Sequence, residues 1–198
     1  MKRAAAMLLA ICMCLSLSTC TRPEEPPPPD YLPLMLNAAC RGDTEKGREA
    51  EHMRNALINE NKLDEPKVSF DELFLLSKFI QSQASSMWFT DEFLFCTGEV
   101  VMNRVASEDF PDSISAVIYQ DGQYEGVLTE EFQCRLLPSY RAAQAALRLL
   151  MGERMMSEDV LYASHEKAGE VYALYSDARL GYTYFCTAPA DAEKSPNL

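Results

Sequence analysis

Three groups of residues in this chain have the types and spacing to do chemistry. Gln120, Gln123 and Tyr124 surround the Asp121-Gly122 turn. Two amides and an aromatic ring in an irregular loop offer hydrogen bonds and stacking together, a combination that suits a saccharide. Asn103 and Arg104 close an apolar-periodic stretch that starts after Thr90, with Glu99 one turn earlier as a carboxylate able to carry a proton. Gln83 stands four residues after Phe79 and seven after Leu76, so it continues an inward helical row and is expected at the floor of a groove. Each has a plainer reading. A helical glutamate such as Glu99 serves as well on a solvated face, and Glu92 in a first turn is explained by the helix dipole. Asn103 either lines a groove or makes a structural hydrogen bond. Trp88 is a core or hinge aromatic or a sugar platform, and Tyr162, with Tyr182, a core wall or a sugar contact.

The elements that must position these groups are legible from periodicity and caps. Residues 43–60 read as a polar helix with one apolar stripe. Ser69-Phe70-Asp71-Glu72 is a capping box opening a central helix to about Ala84, with Leu73, Phe74, Leu76, Phe79 and Ile80 around most of its circumference. Thr90 caps the next helix, to Val105, in which Gly98 marks a close approach by a neighbour. Phe110-Pro111-Asp112-Ser113 breaks the chain before a short helix through Ile118, and Ser139 caps a helix that stops at Gly152. Residues 160–163 and 181–186 have the β-branched and aromatic character of two strands. Helices first and strands last give a helix-rich α+β single domain with a small β-sheet. About 160 residues follow the proline-rich segment, enough for one core.

The N-terminal end reads as targeting rather than fold. Lys2 and Arg3 precede an apolar run from Ala4 to Leu17, too short to span a membrane, so residues 1–19 are expected to be an export signal. Leu17-Ser18-Thr19-Cys20 resembles a bacterial lipobox, which makes Cys20 the lipidated first residue of a membrane-anchored chain; simple secretion is the alternative. Losing Lys2 and Arg3 takes the formal charge from -12 to -14, which argues against nucleic acid or anionic lipid as the main partner. Residues 20–36 are expected as a stiff extended spacer, 37–68 as a helical extension and 187–198 as a tail. Cys40, Cys96, Cys134 and Cys186 allow two disulfides in three pairings or four free thiols. With no Cys-x-x-Cys and with His52 and His165 standing alone, no metal or other cofactor is expected.

Ser82-Gln83-Ala84-Ser85-Ser86-Met87-Trp88, Gly98-Glu99-Val100-Val101-Met102-Asn103-Arg104-Val105, Phe110-Pro111-Asp112-Ser113-Ile114 and Ile118-Tyr119-Gln120-Asp121-Gly122-Gln123-Tyr124 follow one another in order. Together they resemble the SleB-type cell-wall hydrolases, the spore-cortex-lytic enzyme-like family, over Ser69 to Cys186, roughly 60% of the chain. The resemblance implies a lysozyme-like fold and a groove for the glycan strands of bacterial peptidoglycan. It also implies one glutamate that protonates the leaving oxygen, commonly with internal attack by a muramyl hydroxyl. Gln83 stands at the glutamate's position, 20 residues before Asn103, and Thr183 stands where many relatives have a histidine. An amide has no proton to give, so two readings follow. Either the protein is a muralytic glycosidase, weakened or with Glu99 as replacement acid, or it is a catalytically silent peptidoglycan-binding or scaffold protein. A structural lipoprotein without glycan affinity is a third.

Overall fold

The computed structural model describes residues 29–84, 89–177 and 181–188. Cys20, Trp88, the expected export signal and nearly all of the expected tail lie outside them. Six α-helices precede a three-stranded sheet: α1 (Leu32–Arg41), α2 (Thr44–Asn61), α3 (Phe70–Gln83), α4 (Asp91–Ala106), α5 (Ile114–Ile118) and α6 (Tyr140–Leu150), then β1 (Tyr162–Ser164), β2 (Val171–Asp177) and β3 (Gly181–Cys186). Between α5 and α6 lie a 3-10 turn, Glu125–Leu128, and a π-helical turn, Glu131–Arg135. The expected helix-rich α+β domain with a small sheet is what forms.

The helices start where short polar side chains can satisfy their first amides. Ser69 accepts from Glu72 N–H, Thr90 from Phe93, Ser113 from Ala116 and Ser139 from Ala142. Ahead of α3 the Phe70 amide is taken by Glu51 of α2 at 2.7 Å, which ties the two helices at a corner. α3 is central: it packs on α1, α2, α4, α5 and α6, and buries Phe70, Leu73, Leu76, Phe79 and Ile80. α4 crosses it at Gly98, where an added Cβ would stand 2.6 Å from both Ile80 Cδ1 and Leu149 Cδ1. Only a residue without a side chain lets α3 and α6 approach α4 so closely.

Two expectations change. The extended spacer expected to Leu36 gives way to α1 at Leu32, whose Met35 and Leu36 are buried. Pro33 in its first turn and Gly42 in the left-handed conformation at its end are the helix boundaries that the upstream prolines obscured. The sheet has three antiparallel strands in the order β1-β3-β2, not two. β2 alternates half-buried Val171, Ala173 and Tyr175 with exposed Tyr172, Leu174 and Ser176. Its inner row, with Phe185 of β3, packs on Phe93 of α4 at ring separations of 5.3 Å from Tyr175 and 5.8 Å from Phe185. Cys40, Cys96, Cys134 and Cys186 are free thiols.

Candidate functional site

α3 ends at Gln83, and two cavities meet there. The first, about 190 Å³, is walled by Phe79 and Gln83 of α3, by Phe89, by Phe93, Thr97 and Val100 along one face of α4, by Tyr124, by Ala163, Ser164 and His165, and by Thr183 of β3. The second, about 410 Å³, is walled by Gln81, Ser82 and Gln83 of α3 and by Gly126, Thr129, Glu131, Phe132 and Leu136 from the turns before α6. Gln83 belongs to both. It is exposed, and its Nε2 donates to Ser82 Oγ at 3.2 Å. The inward row expected to include it stops one turn early. At Ala84 the backbone leaves the helix (φ -118, ψ 58), and the small buried Ala84 side chain takes the inner position.

The walls combine fixed apolar surface with a few polar groups. Phe89 and Phe93 stack at 4.1 Å and 11°, and Tyr124 meets Phe79 edge-on at 4.7 Å. Thr97 Oγ1 is turned back to Phe93 O at 2.7 Å. His165 Nδ1 lies 2.9 Å from Tyr182 O. A carbonyl can only accept, so Nδ1 carries the hydrogen in this contact.

The other residues singled out in the sequence lie elsewhere or serve the frame. Glu99 does not line either cavity. It sits two residues beyond Thr97, roughly 200° around α4, and is fully buried. Its Oε1 accepts from the amides of Met155 (2.7 Å) and Met156 (3.0 Å), and Oε2 is buried without a partner among the described residues. Burial pushes the Glu99 carboxyl above its ordinary range, against the pull of those two amides and of Arg154. Its role as replacement acid in the groove is therefore corrected: it pins the segment that enters the sheet.

Asn103 is also structural. Its Nδ2 donates to Ser157 O at 2.9 Å and Val160 O at 3.1 Å, joining α4 to the approach to β1. Gln120 is half-buried, away from both cavities, with Oε1 enclosed and unpartnered among the described residues. Gln123 is exposed, but its Oε1 accepts from Arg104 Nη1 at 3.0 Å. Tyr162 packs against the Arg104 guanidinium at 5.3 Å and edge-on to Phe110 at 6.2 Å, outside the cavities. Of the loop triad only Tyr124 reaches the first cavity, as a half-buried wall; burial raises the pKa of its hydroxyl, with Arg104 acting in the opposite sense.

Arg104 is the residue that sequence reasoning undervalued. Expected only to close an apolar-periodic stretch, it is buried, donates Nε to Leu161 O at 2.7 Å, and lies 4.8 Å from the Phe110 ring and 5.4 Å from the Tyr124 ring. Thr183 lies one strand period from buried Phe185, whereas His165 follows β1 with no comparable signal. Glu131 carried no local signal, because only the turns before α6 bring it beside α3.

No curated protein and no solved structure matches the chain. Residues 94–186, from the first turn of α4 to the last residue of β3, match the model of the Cell Wall Hydrolase family.

Proposed function

We propose that the two cavities form one groove that holds the glycan strands of bacterial peptidoglycan, with Gln83 at the point where a family member would protonate the scissile bond. The single observation that carries this reading is that Gln83 is common to both cavities. A polymer cut or held in mid-strand must lie on both sides of the reacting position, and a lone pocket would suit a chain end. The family match supports the substrate class and spans Tyr124, His165 and Thr183 on the walls. It begins after Gln83, so the assignment of that position rests on the resemblance of Ser82 to Trp88 and its spacing to Asn103.

Stacked rings, the Gln83 amide and the Thr183 hydroxyl are apt for a neutral sugar chain, which needs flat apolar surface beside donors and acceptors. Gln83 orients but cannot protonate, since an amide does not release a proton at any useful pH. The reading places the protein outside the cytoplasm, exported by residues 1–19 and anchored through lipid on Cys20; no helix of the described residues is long and apolar enough to cross a membrane. Sedimentation of the purified protein with insoluble peptidoglycan tests the groove. Wild type is expected to pellet with the wall, and Gln83→Trp, a bulky change at an exposed helix end, to lose that association while keeping its melting temperature. Equal pelleting of the two proteins sinks the shared-groove reading.

A further inference from the structure

We propose that Glu131 is the proton donor of this groove, a role that presupposes the glycan reading above. Among the described residues that wall the two cavities, Glu131 is the only carboxylate, and it shares the second cavity with Gln83. Its side chain is exposed, whereas the backbone that carries it is pinned on both sides. Leu136 N–H donates to Glu131 O at 2.7 Å to close the π-helical turn. The next residue, Phe132, is buried. Lys78 of α3 reaches under the turn, with its ammonium 4.9 Å from the Phe132 ring and bonded to Gln133 O at 3.0 Å. Single π-helical turns are rare, and those inside α-helices frequently lie at functional sites.

The neighbouring charges are otherwise engaged. Glu130 is paired with Arg135 at 2.8 Å, and Glu99 is buried with Oε1 spent on two amides. A carboxylic acid on the turn that shares a cavity with Gln83 can act on the bond held beside that residue. Protonated Glu131 gives its proton to the glycosidic oxygen as the bond from that oxygen to C1 breaks, and the leaving oxygen keeps the electron pair and becomes a hydroxyl. An oxygen of water, or of the sugar itself, bonds to C1, and its proton passes to the Glu131 carboxylate, which restores the acid.

The test incubates purified wild type, Glu131→Gln and Gln83→Glu/Glu131→Gln with peptidoglycan and measures soluble fragments by mass, with sedimentation of each protein alongside. Wild type is expected to release fragments and Glu131→Gln to release them at least about a hundredfold more slowly while still pelleting. The double variant, with a carboxyl restored on α3, is expected to recover release, which shows that the groove survived. Unchanged release by Glu131→Gln overturns the assignment. Wild type that pellets but releases nothing overturns it too and leaves a glycan-holding groove. Wild type that does not pellet defeats the glycan reading and this inference with it.

Discussion

Tyr124 stands between two regions that use polar side chains in opposite ways. On one side of it, Arg104 is buried, hydrogen-bonded to Leu161 O and Gln123, and enclosed by the rings of Phe110, Tyr124 and Tyr162. On the other, Gln83, Glu131 and His165 are exposed along the cavity walls. The Asn103-Arg104 pair, the most recognisable motif in the chain, belongs to the first region, with its donors directed at backbone carbonyls of the segment leading into β1. A pair placed in this way builds the frame, since a buried donor left without its acceptor costs more than the bond is worth. The groups able to meet a ligand are those that the frame leaves without such duties.

Four changes probe this contrast. Arg104→Ala removes a buried hub and strands the Leu161 carbonyl, so a loss of about 3 kcal/mol or more in urea unfolding is expected; a loss below about 1 kcal/mol would put Arg104 outside the frame. Tyr124→Ala touches both regions. It should cost about 2 kcal/mol, less than a fully buried ring, and also weaken sedimentation with peptidoglycan. If only one of the two readouts moves, Tyr124 belongs to that region alone.

Glu99→Gln gives a smaller effect, seen best against pH. Burial holds the folded carboxyl above its ordinary value of 4.5. Between that value and the raised one the folded chain binds the proton more tightly than the unfolded chain does. The resulting stability is present below about 4.5 and is lost as pH rises through the raised value. The stability difference between wild type and Glu99→Gln should therefore shift against wild type as pH rises through that window. A difference that stays constant with pH refutes the burial argument. Thr183→Val is the mildest change. Melting temperature should hold, while pelleting weakens about threefold through one lost hydrogen bond; a large drop in melting temperature would return Thr183 to the core.

Local signals carried far in this protein because helix starts are local chemistry. Ser69, Thr90, Ser113 and Ser139 each sit three residues before the amide they cap, and all four were identifiable without knowing what the helices touch. Gly98 announced its crossing for a similar reason, being an isolated glycine in an apolar helix. β2 was less legible, because Val171-Tyr172-Ala173-Leu174-Tyr175-Ser176 is apolar at nearly every position and shows no inward and outward alternation by residue type. α1 was hidden by the prolines ahead of it, although Pro33 and Gly42 mark its two ends.

The candidate site is another matter. Composition and order of residues were enough to establish a helix-rich frame with a small sheet at its end and the inward rows of α3 and α4. These depend on neighbours within a turn or two, where periodicity and caps operate. Only the tertiary structure decided that Gln83 is exposed at a meeting of two cavities, that Glu99 turns away from them, that Arg104 is a buried hub, and that Glu131 walls the second cavity from a turn 48 residues downstream. Such pairings across the chain are set by how α3, α4 and the turns before α6 pack, and no local rule of spacing reaches that far.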